Sequence, residues 1–268
     1  MKIKTLAIIA MFSGMFITTG MAFDAGGEFD ANIMQATIGD LGNVGSQWTT
    51  SASPGKPREP VSGVAVKYHG NNKERNRLEY KVTFKNGYPI SGVWYHDEPT
   101  LVIDREENYA NGVRTVKSYH RNGGKLKSEE RYLVSGEGKQ ATARVKDGLF
   151  KEYHQDGVLA GEVTYVKNVK EGVEKVYNKK GTLVDEIPYK AGQIHGLRKE
   201  YHDNGQLRKE EPYVDGYVEG MRKDYSDKGV LRMTKEFKKG HPDGEEVRYD
   251  NKGQVTEKKM FKEGRPVN

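Results

Sequence analysis

Histidine follows a tyrosine directly at His69, His96, His120, His154 and His202, and such a row of imidazoles is the first feature of this sequence that could hold a metal ion. Zinc draws its nitrogen ligands to about 2.0–2.1 Å. Equivalent slots in successive two-stranded units stand about 10 Å apart, so these histidines cannot meet on one ion. The slot is Asn178, Ser226 and Asp250 elsewhere, which suits a polar strand end beside a turn. A second row, Lys151, Lys175, Lys199 and Lys223, could attract anionic lipid, an acidic envelope polymer or nucleic acid, and the isoelectric point is about 9.1. Glu152, Glu200 and Asp224 follow three of these lysines, on the opposite strand face. Carboxylates are abundant, but a glycosidase pair cannot be told from surface acids by sequence. No Gly-x-Ser-x-Gly, His-Glu-x-x-His or Gly-rich phosphate loop occurs. With no cysteine, a thiol nucleophile, a thiolate metal site, a disulfide and a lipidated N-terminal cysteine are excluded. The expectation is a protein that is not an enzyme, with no catalytic residue, cofactor or metal.

The elements that must position these residues come from a repeat. Gly148, Gly172, Gly196, Gly220 and Gly244 lie 24 residues apart, and the same step links Tyr153, Tyr177, Tyr201, Tyr225 and Tyr249. It links Gly157, Gly181, Gly205, Gly229 and Gly253, each followed two residues later by Leu159, Leu183, Leu207, Leu231 or Val255. Tyr165, Tyr189, Tyr213, Phe237 and Phe261 complete the pattern. A fixed period of this kind sets the architecture. Worn copies precede it: Gly63, Tyr68, Leu78 and Phe84; then Tyr95, Leu101 and Tyr109; then Tyr119, Leu126 and Tyr132.

Each unit reads as a hairpin. Gly196 to His202 alternates like a half-buried strand, Asp203-Asn204-Gly205 is a turn, and Gln206 to Tyr213 is the returning strand. If Tyr201 faces Leu207, unbroken alternation places Leu197 opposite Glu211. Leu197, Tyr201, Leu207 and Tyr213 then share one face, and Arg198, Glu200, His202, Arg208 and Glu210 the other. A lone hairpin is marginal in water, so the units must stack. The fold class expected is all-β, an elongated single sheet of stacked antiparallel hairpin repeats. A hydrophobic share of 35%, a charged share of 31% and a mean hydropathy of −0.84 fit a thin sheet better than a large aliphatic core. The slot of Leu149, Val173, Leu197 and Met221 becomes Glu245 in the last unit, and Lys258, Lys259 and Lys262 charge the final strand, as sheet edges require. A one-layer sheet leaves an apolar strip of the kind that marks an interaction surface. The candidate partner-binding face is Tyr153, Tyr177, Tyr201, Tyr225, Leu183, Leu207 and Leu231.

These residues, as Tyr-x-x-x-Gly-x-Leu-x-x-x-x-x-Tyr-x-x-Gly-x-x-x-Gly, resemble the variant MORN repeat. The copy from Tyr201 to Glu210 is similar to the YwqK family of antitoxin-like bacterial proteins. The resemblance covers about 63–268 and implies an all-β hairpin array that binds proteins, some of its members being antitoxins. It implies no catalytic residues.

At the N-terminus, Lys2 and Lys4 precede an apolar run from Leu6 to Ile17 and then Gly20-Met21-Ala22, the order of a secretory leader. The domains expected are a leader at 1–22, a flexible segment at 23–62 ending in a proline-rich linker, degenerate repeats at 63–147 and five regular repeats at 148–268. A short helix is expected within 30–41, capped by Asp30. Export, to the periplasm, the cell surface or the medium, removes nucleic acid as a normal partner. It leaves a protein partner or, as the alternative, an envelope polymer or anionic lipid surface. N-terminal sequencing of the mature protein is expected to begin near Phe23; an intact Met1 on a membrane-embedded product would contradict this.

Overall fold

The computed structural model describes residues 5–9, 19–22, 28–30, 49–50, 63–68, 78–85, 88–97, 100–134 and 144–267. The helix expected within 30–41 and the proline-rich linker lie outside the described residues, apart from Asp30. Among the described residues there is no helix, and the chain is all-β, built from antiparallel hairpins stacked in chain order. It divides into two compact units, residues 1–145 and 146–268.

In the first unit, Thr5–Ile9 pairs with Thr19–Ala22 and Thr49–Thr50 in a small sheet, and Glu28–Asp30 runs parallel to the strand Gly63–Tyr68. Three hairpins follow, Gly63–Tyr68 with Leu78–Lys85, Tyr88–Tyr95 with Ile103–Ala110, and Val113–Tyr119 with Leu126–Val134. Tyr68 pairs with Leu78 and Tyr119 with Leu126, whereas Tyr95 pairs with Ile103. Leu101, expected in that slot, stands 65% exposed before the strand begins.

One face of this unit is buried, with Tyr80, Val82, Phe84, Trp94 and Val116 on it. The Glu107 carboxylate is buried among them, and Arg114 donates to it at 2.9 and 2.6 Å, Arg105 at 2.9 Å, and Tyr109 through its hydroxyl. Burial alone would raise the pKa of Glu107. Hydrogen bonding and charge from Arg114, with help from Tyr109 and Arg105, hold it below the ordinary carboxylate value.

The second unit contains five hairpins in series. Their first strands are Gly148–Tyr153, Val169–Tyr177, Gly196–Tyr201, Gly220–Tyr225 and His241–Tyr249. The returning strands are Leu159–Val166, Leu183–Lys190, Leu207–Val214, Leu231–Lys238 and Val255–Lys262. In the third hairpin the His202 amide donates to the Gln206 carbonyl and the Gly205 amide to the His202 carbonyl, both at 2.8 Å. Tyr201 pairs with Leu207, as the turn requires.

Past that pair the register departs from expectation. A β-bulge sits between Glu200 and Tyr201, with Arg208 as the extra residue, so Glu200 pairs with Lys209 and Leu197 with Pro212 instead of Glu211. All five hairpins carry this bulge before the first-strand tyrosine. One unpaired residue reverses the faces of everything beyond it. Tyr213 therefore lies on the face of Arg198 and Glu211, and Glu210 on the face of Lys199 and Tyr201. The expected division into an apolar side and a salt side is corrected accordingly: both faces mix aromatic rings with ion pairs.

Gly205 has a φ of +81°, in the left-handed region. Gly205→Ala is expected to cost about 1–2 kcal/mol, read as a lower denaturant midpoint, while Gly55→Ala in the linker leaves that midpoint unchanged.

Candidate functional site

With the bulges included, the Tyr201 face of the second unit carries three rows that run across the strands. Nearest the hairpin tips, tyrosine and leucine alternate: Tyr153 pairs with Leu159, Tyr177 with Leu183, Tyr201 with Leu207 and Tyr225 with Leu231. All seven residues expected to form the binding face are in this row, half-buried. The middle row alternates in charge. Lys151 pairs with Glu162, Glu162 with Lys175, Lys175 with Glu186, Glu186 with Lys199, Lys199 with Glu210 and Glu210 with Lys223.

Tyrosine hydroxyls tie the two rows together. Tyr201 donates to Glu186 at 2.7 Å, Tyr225 to Glu210 at 3.0 Å and Tyr177 to Glu162 at 3.4 Å, each acceptor lying in the preceding hairpin. These are diagonal cross-strand neighbours, the spacing that long side chains span. Tyr119 makes the same bond to Glu106 in the first unit, at 2.7 Å. Burial, reinforced by the neighbouring glutamate, pushes Tyr201, Tyr225 and Tyr119 up to about 12.

The third row is the one that sequence reasoning left out of the site. Val173 pairs with Pro188 and Leu197 with Pro212, and Leu149, Val173, Leu197 and Met221 are 44–48% exposed on the first strands of their hairpins. Their 24-residue spacing was visible, but exposure was not. Leucine at an alternating position reads as core until the sheet is known to have a bare face.

The Tyr213 face is built differently. Arg198 grips Asp185 with two bonds of 3.1 and 2.6 Å, Lys209 donates to Glu200 at 2.9 Å, and Arg222 holds Asp224 at 2.9 and 2.7 Å. Tyr213 donates to Glu211 at 2.8 Å. Lysines lie over the aromatic rings of this face, Lys170 at 4.7 Å from Tyr189 and Lys235 at 4.0 Å from Phe261. Its charged groups are spent on one another.

Turns are latched between hairpins by two further devices. The imidazoles of His154 and His202 donate through Nε2 to the carbonyls of Tyr177 and Tyr225, at 2.9 and 3.0 Å. Among the described residues no cluster of histidine and acidic side chains is arranged to hold a metal. Secondly, Asp147, Glu171, Glu219 and Asp243 accept from the amides of Lys167, Ala191, Lys239 and Glu263 in the next inter-hairpin turn. His195 takes this place once, its Nδ1 3.4 Å from the Asp215 amide nitrogen. The acid directly before four of the five repeat glycines was the sequence signal for this row.

Three successive stretches, residues 146–167, 170–191 and 194–215, match the family model described as the MORN repeat variant. The first and third contain the first and third hairpins of the second unit, and the second covers the second hairpin from Lys170 onward. No curated protein matches the chain. The three matched hairpins carry the charged row from Lys151 to Glu210 and three of the four exposed aliphatic residues, Leu149, Val173 and Leu197.

The tyrosines give this face a measurable signature at high pH. A phenol whose pKa is raised by folding, from 10.0 to about 12, adds stability that is whole below pH 10 and is lost as the pH climbs to about 12. The denaturant midpoint is expected to fall across that window in the wild type, and to fall less in a Tyr201→Phe/Tyr225→Phe variant. Absorbance titration of the phenols checks the assignment.

Proposed function

We propose that this chain is an exported, non-enzymatic repeat scaffold that binds another protein through the Tyr201 face of its second unit, after the manner of the YwqK-type antitoxin-like proteins. The observation that carries the reading is the row Leu149, Val173, Leu197 and Met221, left 44–48% exposed on the first strands of four successive hairpins. Exposed aliphatic side chains in a continuous row mark interaction surfaces, and aromatic neighbours such as Tyr177 and Tyr201 supply anchors. Repetition distributes the contact, so an extended partner engages several hairpins at once. The leader-like N-terminus supports export, and the absence of recognised catalytic motifs supports a binding role.

An envelope polymer or anionic lipid held by Lys151, Lys175, Lys199 and Lys223 is the competing reading. Glutamates stand between these lysines along the whole row, so the face offers little net positive charge to an anion.

Crosslinking on intact cells followed by mass spectrometry identifies what the protein holds. Val173→Ser/Leu197→Ser is expected to abolish that crosslink, while Glu152→Lys, an exposed change on the other face, preserves it. The complex is expected to persist from about 0.1 to 1 M salt, where exposed charge attraction is screened away. Binding to phosphatidylserine vesicles that fails at high salt and tolerates Val173→Ser/Leu197→Ser would assign the face to an anionic surface instead.

A further inference from the structure

The three rows of the Tyr201 face have one property in common: each alternates between two residue types from one strand to the next. The tip row alternates tyrosine with leucine, and the middle row lysine with glutamate. The base row alternates an aliphatic residue with proline over the central strands, Val173 with Pro188 and Leu197 with Pro212. The alternation follows from the hairpin itself, since the first strand always brings one type and the returning strand the other.

A surface of this kind is complementary to itself. A two-fold axis lying in the face and parallel to the strands, midway between Leu183–Lys190 and Gly196–Tyr201, turns the rows onto copies of themselves displaced by one strand. It sets Glu186 over Lys199 of a second copy, Lys175 over Glu210 and Glu162 over Lys223. In the base row Pro188 meets Leu197 and Val173 meets Pro212. In the tip row Leu183 meets Tyr201 and Tyr177 meets Leu207. In the middle row every charge on the four central strands then faces its opposite, and in the tip and base rows each of these residues faces another with an apolar or aromatic side chain.

We propose that the occupant of this face is a second copy of the chain, docked face to face about that two-fold axis. The inference rests on the reading of the Tyr201 face as a protein-binding surface and names its partner. A foreign protein would need the same alternation in three rows at strand spacing to match it, whereas a second copy carries it by construction. The contact is isologous, the commonest way in which a chain meets itself. The charged row also fixes the register, because a slip by one strand places lysine on lysine and glutamate on glutamate.

Sedimentation equilibrium on the purified full chain, over a range of concentrations, reads the association directly. The wild type is expected to be a dimer. Leu197→Glu, at an exposed position, is expected to leave a folded monomer by circular dichroism. Glu186→Lys and Lys199→Glu each place like charges across the axis and are expected to weaken association by about 100-fold or more. Mixing these two variants restores unlike pairs at both contacts, and a mixed dimer is the expected result. If a swapped chain does not fold, Leu197→Glu and Val173→Glu decide the matter. A wild type that stays monomeric at all concentrations, swapped variants that still dimerise, or a mixture that stays monomeric each overturns the proposal. A monomeric wild type whose crosslinked partner is lost on Val173→Ser/Leu197→Ser would sink the dimer and leave the scaffold reading standing. A dimer dissolved by Glu152→Lys but not by Leu197→Glu would sink both.

Discussion

The chemistry of both faces of the repeat array depends on one extra residue per hairpin, placed where the returning strand passes the first-strand tyrosine. Without the bulge at Arg208, strict alternation would put Glu210 on the face of Arg198 and Tyr213 on that of Tyr201. With it, Glu210 joins Lys199, and a glutamate alternates with every lysine from Lys151 to Lys223. Tyr201 finds an acceptor in Glu186 of the preceding hairpin. The bulge recurs at the same place in all five hairpins, so each unit repeats the geometry of the last.

A thin sheet has little apolar volume to bury, and this one compensates through bonds between hairpins. Tyrosine hydroxyls reach back to the preceding hairpin's carboxylates, histidines reach forward to a carbonyl of the next hairpin, and the residue before each repeat glycine caps the next turn. Each tie joins neighbours only, which is how a repeat array gains stability unit by unit. The Tyr213 face closes its charges on one another, Arg198 on Asp185 and Arg222 on Asp224. The aliphatic row of the Tyr201 face, in contrast, stands nearly half exposed. In the first unit the same hairpin register supports a buried face, where Arg114 and Arg105 neutralise Glu107.

The sequence by itself determined the period, the hairpins, the turn at Gly205 and, in the five regular repeats, the pairing of each first-strand tyrosine with the leucine or valine beyond the turn. These are local properties: a glycine able to take positive φ and a tight turn fix the first pair with no help from elsewhere. It also placed Tyr153, Tyr177, Tyr201, Tyr225, Leu183, Leu207 and Leu231 together, since these residues stand close to the turn. Only the tertiary structure decided what happens farther along the strands. A bulge leaves no composition signal at Ala160, Val184, Arg208, Arg232 and Thr256, five positions of four residue types, because its cause lies in the twist and pairing of strands that the sequence does not display. Tyr213 was misplaced for that reason. Exposure of Leu197 was hidden for a related one: alternation tells which residues share a face, but whether anything covers that face is a property of the assembled sheet.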